Sequence, residues 1–173
     1  DSATWPLRRV KKTLNAGTAP DGTNTAVSIV PTADNNTHRI DQNAGGGLAT
    51  TTEYTFSVYG KQNGYTGLSL TVGQGSNVPQ FSNTAYFDLN SGTVASTVAG
   101  VSAAIQDAGN GWFRCAITTT TDNFLGLNAI LIGVGSDSST FSFAGNTTDG
   151  ILIWGPQLEI SSSVTGFLPN ETS

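Results

Sequence analysis

Apolar and polar positions alternate with a period of two along most of the chain, most clearly between Gly109 and Thr120. There Phe113, Cys115 and Ile117 share one phase, and Trp112, Arg114, Ala116 and Thr118 share the other. Period two with aromatic and β-branched residues predicts a half-buried strand. Gly109-Asn110-Gly111 just before it predicts a tight turn, because glycine and asparagine accept positive φ.

The same pattern recurs on both sides. Val10 to Leu14 and Ala26 to Val30 predict early strands, joined by a turn at Ala19-Pro20-Asp21-Gly22-Thr23. Asp34-Asn35-Asn36 reads as a loop, Thr37 to Gln42 as a weak strand, and Gly45-Gly46-Gly47 as its end. Tyr54 to Lys61 is a strong strand with Tyr54, Phe56 and Val58 on one face, followed by an Asn63-Gly64 turn. Leu68, Leu70 and Val72 mark the next strand; Ala85, Phe87 and Leu89 another; Val101, Ala103 and Ile105 a third. Asn128 to Val134 is a mostly apolar run and predicts a central strand. Ile151 to Ile160 is the last strand, and Pro156 within it points to an edge or a bulge. About ten short strands with no helical period predict an all-β, antiparallel β-sandwich.

Composition narrows this further. At 173 residues the chain, 1–173, is read as one domain with a full core. Glycine is abundant at 21 residues and only 11% of residues are charged, which suits a turn-rich β fold. A net charge of −5 argues against a general nucleic-acid binder. Arg8, Arg9, Lys11 and Lys12 cluster near the start and read as a solvated strand or linker. No run of about 18 apolar residues is present, the length a membrane helix needs, so no membrane partner is expected. The chain opens without an apolar leader segment and reads as a module of something longer. The single cysteine, Cys115, shares its face with Phe113 and Ile117 and is expected to be a buried, inert hydrophobe.

Gly111-Trp112-Phe113-Arg114-Cys115 followed by a Thr-rich strand resembles a non-catalytic β-sandwich domain found in phage tail and virion proteins and appended to polysaccharide-degrading enzymes. Tyr54 to Lys61, Ala85 to Val94, Ile153 to Glu159 and the closing Thr165-Gly166-Phe167-Leu168-Pro169 fit the same pattern. The resemblance implies a jelly roll of the carbohydrate-binding-module kind, located outside the cell or on a virion. It names no sugar, since one such fold carries many functions.

Candidate chemistry is sparse. Glycoside hydrolysis needs two facing carboxyls; Asp88 and Glu159 are the pair to test, and no enzyme activity is expected. His38 is the only histidine, which leaves little for a metal site or a nucleophilic triad. The oxygen-rich loops around Asp21 and Asp149 are candidates for a structural calcium ion. Arg114 and Glu159 are expected to pair across neighbouring strands. Trp112 and Trp154 fit either the core or a sugar platform.

Sugar binding requires an aromatic face for the apolar side of a pyranose and planar polar groups for its hydroxyls. The outward phases offer Tyr86 with Asp88, Tyr59 with Lys61, and Arg39 with Asp41, while Tyr65 sits beside its turn. Tyr86 leads this set, because Ala85, Phe87 and Leu89 claim the core. The sequence therefore reads as a non-catalytic module that attaches a phage particle or an appended enzyme to a polysaccharide or cell-surface glycan. The alternative is a structural module of a tail fibre without glycan affinity, forming a homo-oligomer through its parent protein.

Overall fold

The computed structural model describes residues 5–43, 48–49, 51–73, 83–121 and 129–166. Gly45 to Gly47, Asn128 and the Phe167-Leu168-Pro169 run lie outside them. The described residues form strands and no helix: β1 (Leu7–Arg8), β2 (Val10–Thr13), β3 (Val27–Pro31), β4 (Asn35–Asn43), β5 (Glu53–Asn63), β6 (Gly67–Val72), β7 (Thr84–Asp88), β8 (Thr93–Thr97), β9 (Val101–Gly109), β10 (Trp112–Thr120), β11 (Ala129–Gly135), β12 (Ser142–Ala144) and β13 (Gly150–Glu159). All the strand pairings are antiparallel.

Two sheets face each other. Sheet A runs β1-β4-β11-β6-β7-β8, with β12 also on β4; sheet B runs β2-β3-β13-β5-β10-β9. The pairings β3–β13, β4–β11, β5–β10 and β6–β7 are nested in the chain. Of these eight strands, each of the first four (β3 to β6) meets its mirror partner among the last four (β7, β10, β11 and β13), which is a long antiparallel ribbon wound into a jelly roll. The β8 and β9 strands are an insertion between its fifth and sixth strands.

The core is the shared apolar phase. Tyr54, Phe56, Val58, Cys115, Ile117, Ile151 and Ile153 from sheet B are buried against Leu68, Leu70, Val72, Phe87, Ile130, Ile132 and Val134 from sheet A. Gly60 breaks the series of large residues in β5 for a steric reason: a Cβ there would come within 2.7 Å of the Leu68 side chain. Burial pushes the Cys115 thiol well above its ordinary range, because a thiolate would have no solvation.

Three expectations change. Asn35 and Asn36 are not loop; they open β4 and pair with Ala144 and Phe143 of β12, a short strand that no alternation announces. Pro156 does not mark an edge: β13 lies between β3 and β5, and the register slips between Trp154 and Gln157 around Gly155, whose φ is 57°. This is the bulge option, and it removes the need for a proline N–H in the ladder. Trp112 does take the outward phase, yet it is only 2% exposed. The β2–β3 loop folds back over sheet B and buries Trp112 with Ala19 and Ala26, and the indole Nε1–H donates to the Thr18 carbonyl at 3.1 Å.

Native Cys115 is expected to resist thiol reagents until the protein is unfolded, and Cys115→Phe to lower unfolding free energy by about 1–3 kcal/mol through overpacking. Trp112→Ala is expected to cost about 3–5 kcal/mol in urea unfolding, because it leaves a cavity beneath the β2–β3 loop.

Candidate functional site

The outward phase of sheet A contains one lateral row. Arg39 (β4), Gly133 (β11), Ser69 (β6), Tyr86 (β7) and Ser96 (β8) are register partners across five adjacent strands. The middle of the row is low, since Gly133 has no side chain and Ser69 a short one. The β11–β12 turn uses that space. It folds back over its own sheet and places the Phe141 ring beside Tyr86, with centroids 4.8 Å apart and planes tilted by 59°.

A groove of about 510 Å³ results. The Tyr86 and Phe141 rings supply its apolar surface, and Thr37, Ser96, Ser138, Ser139 and Ser142 line it with hydroxyls. No ionisable acid or base other than the Tyr86 phenol lines it. Burial pushes the Tyr86 hydroxyl up from its ordinary value, so the ring stays neutral at physiological pH.

The turn that carries Phe141 is held from within. The Asp137 Oδ1 accepts the Ser139 amide and hydroxyl and the Thr140 amide, each at 2.8 Å, and the Ser136 N–H donates to the Thr140 carbonyl at 3.0 Å. Those bonds, from Ser139 first and then Thr140, hold the Asp137 carboxyl below the usual carboxylate range. The turn also lies hard against the sheet: a Cβ at Gly67 would collide with the Asp137 carbonyl, and one at Gly135 would come within 3.0 Å of the Phe141 ring.

The predicted binding residues divide between places. Tyr86 lies in the groove. Arg39 shares its sheet and its row; it lines a small gap with Ser69, Gly133 and Phe141 that adjoins the groove, and its Nη1 donates to the groove-lining Thr37 hydroxyl at 3.3 Å. Arg39 faces Asp41 at 3.4 Å, and Asp41 also accepts from Arg8 Nε at 3.0 Å. Burial pulls the Arg39 guanidinium's basicity down, and the Asp41 charge opposes this. Asp88 caps the β7–β8 turn by accepting the Asn90 amide at 2.8 Å and the Ser91 hydroxyl at 2.9 Å. The Tyr65 hydroxyl accepts the Asn146 amide at 3.1 Å, and its ring meets Phe143 edge-on.

Tyr59 is on the opposite face, outside sheet B. It stands in a row with Trp154, Arg114 and Gln106. Trp154 tilts against one side of its ring and the Arg114 guanidinium lies 5.5 Å from the ring centroid. Trp112, buried under the β2–β3 loop, offers no ring face to a sugar. The expected Arg114–Glu159 pair is replaced by a bridge through Thr165, whose carbonyl accepts Arg114 Nη1 at 2.6 Å while its hydroxyl donates to Glu159. Burial raises the Glu159 carboxyl, but the bonds from Thr165 and Gln157 and the Arg114 charge outweigh it and hold the group below its ordinary range. Asp88 and Glu159 lie in opposite sheets, so they do not face each other across a substrate. Asp21 and Asp149 are in separate loops, bonded to Thr23 and Asn146 respectively. No group of three or more His, Cys, Asp or Glu suited to a metal ion exists among the described residues.

Phe141 and the serines beside it were not singled out in the sequence. Their one signal is Asp137-Ser138-Ser139-Thr140, an Asx-turn pattern directly before an aromatic residue.

No protein-family model matches the chain, and no curated protein does. Among solved structures, one similar chain is the N-terminal part of Clostridium thermocellum endo-1,4-β-D-xylanase 10B, comprising its CBM22-1 and GH10 modules in complex with xylohexaose. It is 16% identical, with a TM-score of 0.48, over 93% of this chain and 26% of the xylanase chain. The present chain thus spans about a quarter of that chain, and the jelly roll follows from the strand order given above and not from this likeness.

Proposed function

We propose that this domain is a non-catalytic carbohydrate-binding module whose site is the Tyr86–Phe141 groove. The observation that carries the reading is an aromatic pair lining one groove of about 510 Å³ together with the hydroxyls of Thr37, Ser96, Ser138, Ser139 and Ser142. Aromatic rings take the C–H face of a pyranose, and hydroxyls exchange hydrogen bonds with its rim at little desolvation cost. A groove of this size lies within the range typical of small-ligand sites. The candidate acid–base pair is split between the sheets, which favours binding without turnover. In a larger protein, whether a phage particle or a secreted enzyme, such a module holds its carrier at a glycan surface outside the cell. A calcium ion at the Asp21 or Asp149 loop would serve loop stability, not sugar contact.

A second reading has its own observation. Strand β9 ends sheet B, runs for nine residues and carries one charge, Asp107. Edges this long and this little charged favour pairing with another strand, which suits a structural module in an oligomer. In sedimentation velocity that reading requires a concentration-dependent dimer or trimer abolished by Ala104→Lys.

On the glycan reading, Tyr86→Ala is expected to weaken binding at least several-fold in isothermal titration while changing stability little, since the ring is only half-buried. Unchanged affinity would move the site off this groove. Gly67→Ala is expected to lower both stability, by about 1–3 kcal/mol, and affinity, because the Asp137 carbonyl must move and the Phe141 wall with it. The pH dependence follows from the depressed Asp137 carboxyl. Its turn bonds are complete above the ordinary carboxylate value and are lost as pH falls through the lower folded one. Affinity is therefore expected to be flat from about pH 8 to about pH 5 and to decline only in stronger acid.

A further inference from the structure

Resting on the glycan-binding reading, we propose that the Thr37 end of the groove is an anion subsite, so that the module takes an acidic glycan: a sugar ring packs on Tyr86 and Phe141 while a carboxylate or sulfate of the same chain is held at Thr37. The groove reaches far enough. Thr37 and Ser142, register partners on β4 and β12, line it together with Tyr86 on β7. Strands β4 and β7 are three places apart in sheet A, about 14 Å at the usual strand spacing. A ring and a charged group of one glycan can therefore occupy its two ends.

What stands behind Thr37 is positive. Arg9 Nη2 and Arg39 Nη1 both donate to the Thr37 hydroxyl oxygen, at 3.1 and 3.3 Å, and Arg9 Nε donates to the Thr37 carbonyl at 2.7 Å. A hydroxyl that already accepts twice has its hydrogen left to give. That hydrogen has only a long contact, to Asn36 Oδ1 at 3.4 Å, and the same oxygen already accepts the Thr37 amide at 2.8 Å. An anionic oxygen in the groove is the stronger acceptor, and the two guanidiniums stabilise its charge.

Charge in this cluster does not cancel. Arg8 and Arg39 share one carboxylate, Asp41, at 3.0 and 3.4 Å. Arg9 pairs with no carboxylate among the described residues and bonds to the neutral groups of Thr37. Burial first, and then the like charges of Arg9 and Arg8, pull the Arg39 guanidinium's basicity down against the opposing effect of Asp41. Such a cluster gains by accepting an anion. Arg9 is also fixed in place. Its φ of 55° lies at the crossing from β1 in sheet A to β2 in sheet B, and its carbonyl accepts the Thr32 amide at 2.9 Å and His38 Nδ1 at 2.7 Å. Glycine adopts that φ at lower cost, so the arginine's contribution here lies in its side chain. At the turn that carries Phe141, Asp137 directs Oδ1 to Ser139 and Thr140.

Titration calorimetry on matched pairs tests the proposal: oligogalacturonides and alginate oligosaccharides against their carboxyl-reduced forms, and carrageenan oligosaccharides against their desulfated forms. At least one acidic series is expected to bind about tenfold or more tightly than its neutral counterpart, and to weaken as salt is raised from about 0.05 to about 0.5 M. Either series binding in this way supports the subsite and tells which anion it takes. Arg9→Gln and Arg39→Gln, checked for folding by circular dichroism, are each expected to reduce that preference about tenfold, and Tyr86→Ala to weaken the acidic series as well. If the arginine variants fail to fold, the parent's acidic-to-neutral ratio and its salt dependence decide. Neutral counterparts that bind as well as the acidic series overturn the anion subsite and leave the glycan reading intact. An acidic preference that survives both arginine substitutions places the anion elsewhere and overturns the proposal. If no sugar binds, the glycan reading itself falls and this inference with it.

Discussion

The groove exists because the turn after β11 can lie directly on the sheet from which it emerges. Backbone resting on backbone leaves no space for side chains between. Gly67 and Gly135 meet that requirement: a Cβ at either would strike the Asp137 carbonyl, and one at Gly135 would also crowd the Phe141 ring. Asp137 then fixes the turn by accepting three hydrogen bonds on one oxygen. Phe141 is placed beside Tyr86 as a consequence, and Ser138 and Ser139 of the turn and Ser142 after it line the groove. One steric condition on two glycines thus leads to the aromatic pair and the hydroxyl lining.

The two outer faces of the sandwich show how similar residues are used differently. Sheet B has the richer row, with Trp154, Tyr59, Arg114 and Gln106 in register across four strands. Yet these groups are engaged with one another and with the chain. Arg114 holds the Thr165 carbonyl and stacks on Tyr59, Trp154 donates to the Thr25 hydroxyl at 3.0 Å, and Trp112 lies under the β2–β3 loop. The loop packs over Trp112 and the segment after β13 holds Arg114, while Tyr59, Gln106 and Arg114 line a smaller groove of about 210 Å³ with Asp107 and Ala108. Among the described residues, the outer face of sheet A is covered by the short turn, and Tyr86 lines the groove beside it. The carboxylates follow the same logic. Asp88, Asp137 and Glu159 each direct their lone pairs to nearby backbone and hydroxyl donors, and for Asp137 and Glu159 those bonds hold the carboxyl below its ordinary range.

Much of the fold was legible in the sequence. Side chains alternate across a strand, so a core-facing series such as Tyr54, Phe56 and Val58 or Cys115 and Ile117 declares itself within a few residues, and so do the turns at Gly109-Asn110-Gly111 and Asn63-Gly64. The same alternation sent Tyr86 and Arg39 outward and Cys115 inward, as found. The sequence also made the closest apolar strands recognisable while hiding β12, because Ser142-Phe143-Ala144 is too short to alternate.

Tertiary structure decided the rest. Outward is a direction, not an exposure: Trp112 points away from the core and is buried, since a loop nearly a hundred residues earlier in the chain covers it. In a jelly roll, strands distant in sequence become neighbours, so only the nested pairing shows that Tyr86 and Arg39 share a row while Tyr59 faces the other way. Phe141 carries no alternation signal because its role depends on what lies beneath it, and Ser69 and Gly133 come from β6 and β11, strands far apart in the chain that pair with each other. The sequence by itself determined which side chains leave the core, because strand periodicity is local; the tertiary structure decided which of them stay open to a ligand, because covering one requires a contact between segments far apart in the chain.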